Sequence, residues 1–196
     1  MKSLALLPVV VLAATLPFPR PVDTALPRGD HDWAVDAVHS SVVFRVKHAN
    51  ASYFKGSFDH VEGKLTLDPA APAKGSVELK IAVDSIDTND AKRDGHLKGA
   101  DFFSAKENPE ITFKSTKIEG KGDTLQVTGD LTMCGKTNSV TVPVTKVGEG
   151  EFHGKRVGYS ATFMVQRSKF GMTYGLEGGV LGDDVTLMID LELTQQ

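Results

Sequence analysis

One cysteine, Cys134, stands in a chain of 196 residues, so no intramolecular disulfide can form and stability has to come from packing. Positive charge is also in short supply. The 22 Lys and Arg face 25 Asp and Glu for a net charge of −3, which leaves no excess to hold a polyanion and excludes nucleic acid as a natural partner. The longest apolar run, Leu4 to Leu16, is too short to span a bilayer as a helix. Amphipathic helices long enough to cover a sheet are missing as well. Whatever sheet the chain builds must bury its own apolar face, in a sandwich or a closed barrel.

The first residues have the layout of a secretory signal. Lys2 supplies the positive n-region, Leu4 to Leu16 the apolar h-region, and Ala13 or Ala14 a small-residue cleavage site. Residues 1–14 are therefore expected to be a signal peptide, residues 15–30 a Pro-rich disordered lead-in, and residues 31–196 one domain in the periplasm or outside the cell. Cys134 lies far from the end of the h-region, which excludes it as a lipoprotein anchor.

From Trp33 onward the dominant period is two. Val42, Phe44, Val46 and His48 share one face of a strand whose other face carries Arg45 and Lys47. Leu65 and Leu67 are read as continuing a strand that begins near Phe58. Val77, Leu79, Ile81 and Val83 alternate with Glu78 and Lys80, and Ile111 and Phe113 alternate with Thr112 and Lys114. Four further runs follow, around Leu131, Val142, Phe163 and Leu187. Turns are expected at Glu119 to Asp123 and Val147 to Gly150, and Cys134 is read as lying inside a strand. Two breaks in the period stand out. Thr88 to Leu97 suits a short helix capped by Asn89 or Asp90, and Asn50 to Phe54 a helical turn. About eight strands, each apolar on one face and charged on the other, favour an all-β closed antiparallel barrel whose interior is filled or holds one small ligand.

Familiar catalytic signatures fail on spacing. Gly129 and Gly135 are one residue too far apart for a phosphate-binding loop ending in Gly135, Lys136 and Thr137, and strand-like residues follow where a helix is needed. The six histidines show no paired metal-ligand spacing. His39, Ser40 and Ser41 are neighbours on a strand and point to alternate faces, without a nucleophile elbow.

Four segments together resemble the YceI-like family. They are Asp36, His39, Ser40, Phe44 and His48; then Gly56, Phe58 and Gly63; then Arg93, Asp94, His96 and Leu97 to Asp101, Phe102 and Phe103, with Pro109, Ile111, Phe113 and Ser115; and finally Gly129 to Thr132, Gly135, Arg167, Phe170 and Gly171. The resemblance runs from Trp33 to Leu193. It implies a lipocalin-like barrel with an elongated apolar tunnel that holds a long isoprenoid lipid, of quinone or polyprenyl phosphate type, without a cofactor and without catalysis. It also implies transient membrane contact and admits a homodimer. At about 0.8 kcal/mol per buried methylene, such a chain needs few polar contacts.

The apolar phase of each strand places Phe44, Val46, Leu79, Ile81, Phe113, Leu131, Val142, Phe163, Leu187 and Ile189 on the inward face. Phe102 and Phe103 are lining or core. His48 and His96 are read as polar groups at the tunnel mouth or as ties between helix and rim. Arg93 and Arg167 suit a pyrophosphate clamp, with an ion pair of Arg93 to Asp94 or Asp101 as the structural alternative. Thr88 to Phe103 is expected to close one end. Two other readings stay open: a filled barrel with a structural or stress-related role, and a lipid- or amide-modifying enzyme using His48, His96 and Asp94.

Overall fold

The computed structural model describes residues 31–196. The expected signal peptide and lead-in lie outside the described residues. Period-two alternation becomes a single antiparallel sheet. Its first strands are β1 (Asp32–Val35), β2 (Ser41–His48), β3 (Ser52–Phe58), β4 (Val61–Thr66), β5 (Ser76–Ala82) and the short β6 (Ile86–Asp87). Helix α1 (Ala91–Leu97) follows, and then β7 (Glu110–Lys121), β8 (Thr124–Met133), β9 (Lys136–Glu151), β10 (Lys155–Gln166) and β11 (Leu181–Gln195).

Closure comes from the last strand. In the order β1-β4-β5-β7-β8-β9-β10-β11, β11 pairs back to β1 through Leu193–Val35, which gives a ring of eight strands. The rest of β11, from Leu181 to Asp190, pairs with β2, and β3 and β6 extend from there. β1 with β2, and β3 with β4, thus act as two long strands, each broken at mid-length.

Parity explains the breaks. Trp33 and Val35 pack against the core at odd positions, whereas Val42 and Phe44 are buried at even ones; Phe58 is buried at an even position and Val61 and Leu65 at odd ones. A strand changes the face of its side chains only at a bulge or a break, and here the chain breaks: the expectation of one strand from Phe58 through Leu67 is corrected, with the interruption at Asp59 and His60. The other corrections are local. Residues 49–51 form a hairpin turn, with Ala49 and Asn50 at φ 49° and 53°, not a helical turn. β9 runs unbroken through Val147 to Gly150 and turns only beyond Glu151. Cys134 lies in the β8–β9 turn with Gly135, both at positive φ (51° and 69°), the two-residue hairpin geometry.

The barrel has two unlike ends. At one lie the 49–51 turn, the 88–109 segment with α1, the Cys134–Gly135 turn and the 167–180 connection; at the other lie the 67–75 connection after β4, which holds a single 3-10 turn at Pro72–Lys74, and the tight turns after β7 and β9. α1 starts where expected. Asp90 caps it by accepting from the Arg93 backbone N–H at 2.9 Å.

The break between β1 and β2 is tied down on the outside. Asp36 accepts from Val38 N–H and from the Arg156 guanidinium, which also donates to Glu192 Oε1 at 2.6 Å, and His39 Nδ1 lies 3.0 Å from the Asp36 carboxylate. Asp36, His39 and Glu192 thus already surround a cation, Arg156. The hydrogen bond from Arg156, and then that from His39, hold the Asp36 carboxyl well below the usual carboxylate range. A depressed folded-state value stabilises the fold fully above the unfolded aspartate value of about 3.9 and is lost as pH falls below it. Asp36→Asn is therefore expected to melt below wild type at neutral pH, with the two midpoints converging as the solution is acidified below about pH 4. Thermal melts against pH test this; parallel curves across the range would refute it.

Candidate functional site

The barrel interior is hollow. A cavity of about 600 Å³ runs through it, within the range of small-molecule and cofactor sites. Both β-sheet bulges and close glycine contacts shape its wall. In β7 the register with β8 shifts between Ser115 and Lys117, which moves the inward position from odd Phe113 to even Ile118. The far end of the Phe113 ring sits over Gly129: a Cβ there would stand 2.5 Å from both the ring and the Lys114 carbonyl. Phe44 covers Gly56 in the same way, 2.4 Å from where a Cβ would sit. These glycines let two rings lie against the wall instead of across the tunnel.

Every residue singled out from the strand phases lines this cavity: Phe44 and Val46 on β2, Leu79 and Ile81 on β5, Phe113 on β7, Leu131 on β8, Val142 on β9, Phe163 on β10, and Leu187 and Ile189 on β11. His48, Arg93, His96, Phe102, Phe103 and Arg167 line it too, all at the end that carries α1. Phe103 meets Phe58 edge-on at 5.5 Å, so the 88–109 segment is joined to the barrel wall there. The basic side chains of the lining are gathered at this end, which we call the mouth, and the remainder is overwhelmingly apolar.

The roles of the two arginines differ from a clamp. Arg93 donates from Nε to the Thr88 hydroxyl (2.9 Å) and from Nη2 to the Thr88 carbonyl (2.7 Å), with its guanidinium 4.3 Å from the Phe54 ring centroid. The expected pairing with Asp94 or Asp101 is not made: Asp94 accepts from the Thr88 N–H and hydroxyl, and Asp101 from His96 Nε2 at 2.8 Å. Arg167, 4% exposed, gives Nε to the Gly182 carbonyl (2.8 Å), Nη1 to Met172 (3.0 Å) and Nη2 to Leu181 (3.1 Å). Burial lowers its pKa, with Asp183 opposing. Its fork is spent on holding the 172–182 backbone, so the clamp reading is replaced by a structural one.

Nor do His48, His96 and Asp94 form an acid–base set, since Asp94 is committed to Thr88 and His96 to Asp101. His96 instead stands edge-on to Phe102 (5.1 Å) and Tyr174 (5.0 Å), which joins α1 to the 167–180 connection across the mouth. Cys134 donates to the Phe102 carbonyl at 3.4 Å, and burial raises its thiol pKa, the environment of an inert cysteine. Of the Gly135, Lys136, Thr137 run, Gly135 belongs to the β8–β9 turn and Lys136 and Thr137 open strand β9, where a phosphate-binding loop would need a helix.

Part of the lining has no signature in the strand phases. Tyr53, Phe54, Met172, Tyr174, Val180 and Leu181 complete the mouth. Of these, Tyr53, Tyr174 and Val180 are exposed. The 172–180 stretch has neither period and could be placed only through its contacts.

Comparison with known proteins agrees with this architecture. The chain is 37% identical over 169 residues to protein YceI of Escherichia coli, covering 84% of this chain and 87% of that one. It is 33% identical, with the same coverage, to a UPF0312 protein of Pseudomonas aeruginosa. Among solved structures, BcnA of Burkholderia cenocepacia superposes with a TM-score of 0.74 at 31% identity, over 81% of this chain and 98% of that one. A polyisoprenoid-binding domain from Saccharophagus degradans, implicated in plant cell wall breakdown, shares the fold at 14% identity and a TM-score of 0.66, over 84% and 98% of the two chains. The profile of the YceI-like domain matches residues 33–193, the whole of the closed barrel from β1 to β11, and the chain belongs to that family.

Proposed function

We propose that the protein binds one long isoprenoid lipid in its barrel, chain inward and head at the mouth, and carries or sequesters it in the periplasm or outside the cell without chemical change. The observation that carries this reading is the division of the cavity: about 600 Å³ of apolar space, with His48, Arg93, His96 and Arg167 all at one end. An amphiphile with a single long tail matches such a division. A side chain-filled structural barrel does not need the space, and a hydrolase would need acid and base groups that converge. With both arginines engaged by backbone and Thr88, selectivity for the head group is modest, and quinone and polyprenyl phosphate types both fit the reading. The Saccharophagus domain that shares this fold is a polyisoprenoid-binding one, which supports the same ligand class here.

Lipid has to enter from a membrane, and the exposed Tyr53, Tyr174 and Val180 at the mouth suit transient contact with its interface, where tyrosine is favoured. Solvent extraction of the natively purified protein followed by mass spectrometry is the test. A stoichiometric isoprenoid is expected, and reloading from vesicles should slow in a Tyr53→Ser, Val180→Ser variant. An extract free of lipid, together with failure to load any isoprenoid, would refute the function.

A further inference from the structure

Behind the main cavity, at the end opposite the mouth, lies a second cavity of about 80 Å³. Leu67, Leu125 and Tyr159 line both spaces, so these three side chains are the partition between them. On the far side the small cavity is walled by the turn residues Pro69, Gly122 and Asp123, all exposed. The two leucines are fully buried in the core, 6% exposed each, whereas Tyr159 is half-buried.

The backbone aims Tyr159 at this position. The β9–β10 register shifts between Gly158 and Tyr159: Gly158 pairs with Gly148 but Tyr159 with Lys146, so that Val147 is the extra residue of a bulge. Bulges re-aim neighbouring side chains. β10 itself carries no extra residue and pairs without a shift with β11, so its own alternation keeps Tyr159 in the inward phase with Ala161 and Phe163; the bulge in β9 brings Lys146, which borders the small cavity, opposite the ring. Burial of the ring raises the pKa of the phenol. An aromatic ring therefore stands as a removable floor, and space already exists beneath it.

We infer that Tyr159 sets the maximum length of the chain the tunnel accepts, by closing the main cavity off from the smaller one behind it. This rests on the lipid-binding function proposed above. A chain entering from the mouth stops at the phenol ring. Removing the ring joins the two spaces. A cavity of about 150 Å³ takes a six-carbon ring, so the small cavity together with the volume the Tyr159 ring vacates should admit about one or two further five-carbon units.

The experiment loads full-length mature protein, stripped of lipid, with a ladder of linear isoprenols that differ by one unit, and reads the longest one retained. Wild type should show a sharp length ceiling. Tyr159→Phe keeps the ring and should keep the ceiling; Tyr159→Ala should raise it by about one or two units while still binding the shorter members. Should Tyr159→Ala not fold, Tyr159→Val removes the ring with less loss of packing and carries the same expectation. A wild type that binds the ladder with the same ceiling as a folded Ala or Val variant, or with no ceiling at all, overturns the length gate and leaves lipid binding standing. A wild type that binds no member of the ladder overturns the lipid reading, and the gate with it.

Discussion

Arg167→Ala is expected to cost about 3–5 kcal/mol of stability, which in a domain of this size lowers the thermal midpoint by roughly 10 °C. The side chain is 4% exposed and its three nitrogens serve the carbonyls of Met172, Leu181 and Gly182. Truncation removes a buried guanidinium whose three nitrogens are all engaged, so three carbonyls lose their partners, and each buried polar group left unsatisfied costs about 1–3 kcal/mol. Arg167→Lys should recover only a part. An ammonium is a point charge on a flexible stem, and it cannot address three carbonyls in the geometry of a planar fork. Denaturant unfolding of both variants measures the effect. Lipid loading per folded molecule should stay near wild type, because the guanidinium serves the backbone and not a head group. An alanine variant as stable as wild type, or one that folds fully and has lost its lipid, would contradict the role assigned here.

Arg167 also shows where a sequence stops being legible. Its partners are carbonyls five, fourteen and fifteen residues downstream, across the aperiodic 172–180 stretch, so an isolated arginine near Gly171 and Gly175 reads equally well as a phosphate ligand. Arg93 fails for a related reason: two carboxylates lie within reach in sequence, yet Thr88 offers both a hydroxyl and a carbonyl in bidentate geometry. The strand interiors behave differently. Val42 to Val46, Leu79 to Ile81 and Leu187 to Ile189 show their inward face because alternation is a local property and a one-residue error would place charges inside. Even the breaks were encoded. The change from even Phe58 to odd Val61 and Leu65 calls for a bulge or a break, and the polar pair Asp59 and His60 stands where the break falls. Turn identity was less accessible, since Ala49–Asn50 and Cys134–Gly135 adopt positive φ under the constraint of the strands they join.

Replacing Phe163 with aspartate should empty the tunnel while leaving the barrel folded. Phe163 sits on β10 opposite Leu187 of β11 and is only half-buried, because its ring faces the cavity and not another layer of core. Loss of such a ring leaves less of a new void than loss of a fully packed one, for which Phe→Ala costs about 3–5 kcal/mol. The carboxyl introduced has no basic partner nearby on its strand, so it either takes up a proton or draws water into the cavity. Either state opposes a hydrocarbon chain, which would have to strip that water or bury the acid. The Phe113→Asp variant makes an instructive contrast: its ring also covers Gly129, and removing it exposes the backbone of two central strands, so that variant should lose folding along with lipid. The measurements are the lipid content of purified Phe163→Asp by extraction and its thermal transition, with Phe163→Leu as the apolar control. We expect a cooperative transition at a lowered midpoint, no retained isoprenoid, and near-normal loading in the leucine variant. Stoichiometric lipid in Phe163→Asp would mean that the inward phase of β10 does not face the bound chain, and the tunnel would then have to be sought elsewhere in the barrel.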